Sequence, residues 1–262
     1  MPVVTALVAA ISGLYGLVIG SFLNVVIWRV PRKESIVKPP SHCPGCDAKI
    51  ANRDNIPLLS WMLLRGKCRK CRAPISPRYP FIELFTGLVF VVVGARFAHS
   101  WALPAYLVLS AALVALSAID LEHFILPSRI LYPVDGALLV LLAGAAGLEH
   151  DWGAYLRAVA AGAVAFAIFF VIHFVSPRGM GFGDVRLSFL LGLALGWLGW
   201  ADVAGGLFAG FLYGAVVGVA LIAVKVRGRK QQIPFGPFLA AGAMTFVLFG
   251  APIVDWYRGF GR

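Results

Sequence analysis

The stretch Leu107-Val-Leu-Ser-Ala-Ala-Leu-Val-Ala-Leu-Ser-Ala-Ile-Asp120 is free of charge until its last residue. A second carboxylate, Asp184, follows two glycines in Gly181-Phe-Gly-Asp184-Val-Arg-Leu and opens another apolar run. An ionisable group in hydrocarbon is costly, roughly 2.5–3.5 kcal/mol at a helix centre on insertion scales, and such groups line pathways or do chemistry. Two carboxylates brought together can divide the work, one as base and the other as acid. They titrate as a pair, so neither receives a fixed role.

The rest of the chain is of the same kind. Of its 262 residues 60% are apolar and 13% charged, with a mean hydropathy of +0.85. That excludes an ordinary soluble domain and indicates an all-α polytopic membrane protein. Runs long enough to cross about 30 Å of hydrocarbon fall at about 3–28, 80–97, 102–120, 130–148, 153–175, 186–200, 203–224 and 237–255. The run at 186–200 is short and glycine-rich. The first run lacks a basic leader and a small-residue cleavage site, so it is expected to be a span and not a signal peptide. The expected organisation is a first transmembrane helix (1–28), a basic polar insert (29–79) and a membrane-embedded core (80–262).

Lys and Arg concentrate in cytoplasmic loops. With eight spans, all 23 of them except Arg96, Arg157, Arg258 and Arg262 fall on one side. That side is expected to be cytoplasmic, with both termini outside. Asp120 then ends the third span and Asp184 begins the sixth, both at the cytoplasmic face. The net charge of +11 follows from topology and is no nucleic-acid signal. It also suits contact with anionic membrane lipid. No phosphate-binding glycine loop or dinucleotide fingerprint is present.

All four cysteines lie in the insert, as Cys43-Pro-Gly-Cys46 and Cys68-Arg-Lys-Cys71. Paired C-x-x-C knuckles suit a tetrahedral zinc site in a ribbon-like insert. Four thiolates leave no open position for a catalytic water, so the metal's role would be structural. Disulfides rarely persist in cytoplasm, though two disulfides, redox-active thiols or idle thiols also fit the spacing.

These stretches, read together, resemble the bacterial type IV prepilin peptidases, of the GxGD aspartic protease class. The resemblance rests on Gly20-Ser-Phe-Leu-Asn24, the two cysteine pairs, and Ile75-Ser-Pro-Arg78-Tyr79-Pro80-Phe-Ile-Glu83-Leu. It continues through Ile119-Asp120-Leu-Glu-His123-Phe-Ile-Leu126-Pro127, Gly181-Phe-Gly183-Asp184-Val-Arg-Leu187 and Ile233-Pro-Phe-Gly236-Pro237-Phe. It implies Asp120 and Asp184 as the catalytic pair, supported by Gly181, Gly183 and Arg186. It also implies Cys43, Cys46, Cys68 and Cys71 as zinc ligands. The implied substrates are prepilins or pseudopilins with a basic leader, cut at the cytoplasmic face of the bacterial inner membrane for pilus assembly or type II secretion. Many members then N-methylate the new amino terminus with S-adenosylmethionine. The chain departs from the pattern at Ser128, where the family often has Asp, and at Arg186, where it usually has Lys.

Other polar positions carry weaker expectations. Glu83 is a candidate for binding the methyl donor or a substrate amine, or is simply a charge favoured at a helix start. Asn24 and Arg29 are candidates for holding the insert or the substrate. Glu122 and His123 either shape the field at Asp120 or face the cytoplasm. Asp135 is expected to make a packing hydrogen bond and His173 to pack between helices. The glycines from Gly205 to Gly218 suit close helix contact. A proton-coupled transporter using Asp120 and Asp184 is the alternative; it would call for inverted repeats meeting near the bilayer midplane.

Overall fold

A computed structural model of the chain describes residues 1–177, 179–224 and 233–259. Within them the chain forms α1 (Pro2–Arg29), α2 (Leu59–Leu63), α3 (Arg78–Arg96), α4 (Leu103–His123), α5 (Ser128–Glu149), α6 (Trp152–Val175), α7 (Phe182–Leu198), α8 (Trp200–Ala223) and α9 (Gly236–Gly259). All but α2 and α7 are long and apolar enough to cross a membrane. The short span expected at 186–200 is α7, whose 17 residues cover about 26 Å at 1.5 Å per residue. It begins earlier than expected, so Asp184 lies inside its first turn. The chain is thus an all-helical, multi-pass membrane protein.

Two compact units are present, Met1–His99 and Ser100–Arg262. In the first, α1 runs against α3. A Cβ added at Gly16 would lie 2.9 Å from Gly87 Cα, and one at Gly20 would lie 2.7 Å from Glu83 Cα. Between these helices the insert carries α2, a 3₁₀ turn at Asn52–Asp54 and two isolated antiparallel bridges, His42 with Lys49 and Lys67 with Pro74. Because α3 packs along α1, the helix at the start of the expected core belongs with the first unit.

In the second unit α7 is central, packing against α5, α6, α8 and α9. Its side chains from Val185 to Trp197 are largely buried. Two more glycine-lined seams hold this unit. A Cβ at Gly192 would sit 2.6 Å from Ala161 O on α6, and one at Gly242 would sit 2.2 Å from Gly210 N, between α8 and α9. The glycines between Gly205 and Gly218 therefore serve close helix contact, as expected. Tyr106 on α4 donates to Ala194 O on α7 at 2.8 Å. Lipid gives helices no hydrophobic drive to associate, so such close approach supplies the packing.

Gly242→Ala should lower stability by about 1–3 kcal/mol through overpacking, read as a lower thermal midpoint in detergent. Gly136→Ala, where a Cβ meets nothing within 4 Å, should be neutral or stabilising by up to about 1 kcal/mol.

Candidate functional site

Asp120 occupies the last turn of α4 and is 5% exposed. The helix closes there because Phe124 turns left-handed (φ +56°) and donates its N–H to Asp120 O. Leu126 then folds inward ahead of Pro127, which caps α5 in an extended conformation. Leu126 stands against two glycine backbones. A Cβ at Gly183 would lie 3.1 Å from Leu126 Cβ, and one at Gly236 would lie 3.1 Å from Leu126 Cδ2. One leucine thus fits between the first turn of α7 and the start of α9.

Both carboxylates meet helix N-termini. Gly236 N donates to Asp120 Oδ2 at 3.0 Å, and a Cβ on Gly236 would come within 2.8 Å of that oxygen. Gly181 N donates to Asp184 Oδ2 at 3.2 Å, while Asp184 N returns a bond to Gly181 O at 3.1 Å. The first N–H groups of a helix have no intrahelical acceptor and carry partial positive charge, which suits an anion. Asp184 is 8% exposed, and Leu126 links the two sites, packing against Gly183 beside Asp184 and against Gly236, which holds Asp120.

A second layer steadies the glycine turn. His173 at the end of α6 donates from Nδ1 to Met180 O at 2.8 Å, and its ring lies 5.6 Å from Phe182. The expected packing role of His173 is thus directed at the segment before Asp184. Arg186 also lies over Phe182, 5.2 Å from the ring centroid, and its guanidinium donates to Ser128 Oγ. The two positions that depart from the family pattern are therefore the two ends of one contact. Asp135 does not make the packing hydrogen bond expected of it; among the described residues its buried Oδ1 has no partner. The ring of His123 approaches Glu122 at 3.9 Å.

In the first unit the four cysteine sulfurs lie within 4.8 Å of one another, with Cys43 and Cys71 at 3.7 Å. A zinc–sulfur bond of about 2.3 Å in a tetrahedron requires sulfurs about 3.8 Å apart, so the four fit a metal. The knuckles repeat one design. The residue after each second cysteine, Asp47 or Arg72, is left-handed and donates its N–H to the carbonyl of the first cysteine. Backbone N–H groups of Cys71 and Lys70 pull the Cys68 thiol down to about 6, while Cys71, although the backbone N–H of Ala73 lowers it, is pushed up to about 11 by Cys46 and the other crowded sulfurs.

Three residues expected near ligand or insert hold the insert. Arg29 donates to Ser35 O at 2.9 Å and Pro39 O at 2.8 Å. Asn24 Nδ2 donates to Tyr79 O at 3.1 Å. Buried Glu83 accepts the N–H of Leu58 at 2.8 Å, beside a left-handed Leu58 (φ +59°) that opens α2. The Gly236 contact to Asp120 had no sequence assignment, although Pro237 directly after Gly236 marks a helix start with a free N–H.

Fold and site together define a multi-pass helical membrane protein with two carboxylates anchored at helix N-termini and a four-thiol insert. Comparison with known proteins narrows this. The family model for the bacterial peptidase A24 N-terminal domain matches residues 14–97, and that for the type IV leader peptidase family matches 107–223. A prepilin leader peptidase/N-methyltransferase of Aeromonas hydrophila is 38% identical, over 93% of this chain and 91% of its own length. Its namesake in Pseudomonas aeruginosa is 33% identical over 94% and 92%. A type 4 prepilin-like proteins leader peptide-processing enzyme of Escherichia coli is 37% identical over 90% and 92%. No solved structure matches the chain. The chain belongs to the type IV leader peptidase family, a family of aspartic proteases. These relatives are named as peptidases, not as transporters.

Glu83→Ala should free the start of α2 and speed tryptic cutting of the Lys- and Arg-rich insert in detergent. Glu83→Gln, which keeps an oxygen acceptor, should leave the digestion rate near that of the wild type.

Proposed function

We propose that the chain is an endopeptidase that removes the basic leader of prepilins or pseudopilins, with Asp120 and Asp184 as its catalytic pair. The observation that carries this is the convergence of the two buried carboxylates, each on a glycine N–H at a helix start. The ionised member takes a proton from water, and the hydroxide attacks the scissile carbonyl. The protonated member donates to the carbonyl oxygen. The tetrahedral intermediate collapses as the C–N bond breaks, and the leaving amine takes the proton drawn from water. Gly236 and Gly181 keep their N–H bonds to Oδ2 of each carboxylate, which fixes those oxygens and leaves the Oδ1 atoms for water and substrate. Gly183 allows Leu126 to wedge the two helix starts, and Arg186 braces that arrangement through Ser128.

The charge asymmetry supports placing this site at the cytoplasmic face of the inner membrane, with both termini outside. A basic leader would arrive there, drawn toward a pair of carboxylates. Zinc, held by Cys43, Cys46, Cys68 and Cys71, would fasten the insert and take no part in hydrolysis. The names of the relatives support a second activity on the same product, N-methylation of the new amino terminus. S-adenosylmethionine would supply its sulfonium methyl to the amine nitrogen, the S–C bond breaking as the N–C bond forms, with S-adenosylhomocysteine as the leaving thioether and the amine's proton passing to water. Glu83 Oε2 is engaged by Leu58, which leaves Oε1 as the group offered to a methyl donor or substrate amine.

Co-expression with a prepilin, followed by intact mass of the product, tests both activities. Asp120→Asn and Asp184→Asn should each slow leader loss by about 10²–10⁴-fold; normal processing by either variant would refute the assignment. A further gain of about 14 Da, the mass of a methylene, would report methylation, which in both variants should fall in step with leader loss because it needs the new amine. Purified protein should carry about one zinc per chain by elemental analysis. Cys68→Ser should lose the metal and expose the insert to protease.

A further inference from the structure

A cavity of about 340 Å³ opens between one face of α1 and the insert. That size lies within the range of small-ligand sites, about 300–1,000 Å³. Val18, Phe22 and Val25 of α1 form its apolar side, Val37 and Pro39 of the insert face them, and Arg29 also lines it. Arg29 is 8% exposed. Two of its N–H groups reach the carbonyls of Ser35 and Pro39. Among the described residues no carboxylate pairs with it. A guanidinium has five N–H donors, and a buried cation without a counter-ion is costly. The remaining donors therefore favour an anion entering from the cavity.

The surroundings say which anion. Trp28 is half exposed, with the Arg32 guanidinium 3.6 Å above its ring. Tryptophan at the end of a span marks the level of lipid headgroups. Lys33 and Lys38 follow closely in sequence, with Glu34 the sole acid between Arg29 and Pro40. Below this level, exposed Leu14, Val18 and Phe22 face outward along α1.

We infer that this cavity binds one anionic phospholipid, its phosphate on Arg29 and an acyl chain along Val18 and Phe22. The inference rests on the proposed placement of this end of α1 at the cytoplasmic membrane surface. The lipid would supply the missing counter-charge and tie the insert to the bilayer through the same arginine that holds Ser35 and Pro39.

The test is native mass spectrometry of the full chain released from nanodiscs of mixed phosphatidylglycerol and phosphatidylcholine. The wild type should retain one phosphatidylglycerol, with phosphatidylcholine retained about ten-fold less or weaker still, as expected for a charge-assisted contact. Arg29→Gln should abolish that preference. Ser21→Trp, which fills the cavity and leaves the bonds of Arg29 to the insert in place, should abolish it too. Arg32→Gln should keep it. Equal retention of both lipids would overturn the proposal, as would wild-type retention by Ser21→Trp. Displacement by excess inorganic phosphate would show a simple anion site and overturn it as well. Lipid retention is read without peptide cleavage, so this result and the peptidase reading can fail separately.

Discussion

A carboxylate placed inside an apolar helical bundle must be met by fixed donors, because no bulk water is at hand to solvate it. Here each aspartate is met by the N–H of a glycine at a helix start, Gly236 for Asp120 and Gly181 for Asp184. Much of the second unit follows from that requirement. The start of α9 must reach the end of α4, while Asp184 is met within the first turn of its own helix, and Leu126 must fit between glycines 183 and 236. The α6–α7 and α8–α9 seams must be lined by glycine so that these helices come close enough to hold their ends in place.

The division of the chain has a similar logic. Asp120 and Asp184, the proposed catalytic pair, lie in Ser100–Arg262, and the four thiols lie in Met1–His99. Hydrolysis by an aspartyl pair needs no metal in reach. The insert instead is held by its own knuckles and by Arg29, Asn24 and Glu83, all on the two helices that flank it. The proposed division, zinc fastening one unit while Asp120 and Asp184 hydrolyse in the other, would suit a protein that must hold a leader and cut it.

Much of this was legible in the residues. Long apolar runs set the helices, because only helices satisfy the backbone in lipid. The spacing of Cys43, Cys46, Cys68 and Cys71 set the thiol cluster, since knuckle geometry is local. Asp120 and Asp184 stood out because charge is rare in such runs. What stayed hidden depends on tertiary contact. Nothing local to Gly236 points to Asp120, 116 residues away. Nothing local to Ser128 or Arg186 shows that the two touch. Glu83 read first as a helix-start charge and second as a ligand, and neither reading pointed to its contact with Leu58. Asp135 shows the opposite limit, for the partner expected of it is missing among the described residues.

The central claim is that Asp120 and Asp184 act as one unit on one water. Single-turnover cleavage of a prepilin by Asp120→Asn, Asp184→Asn and the double variant tests it most directly. Groups that work as a unit are strongly non-additive. The account predicts that the double variant is about as slow as either single variant. Losses that multiply across the two positions would show independent contributions and contradict it.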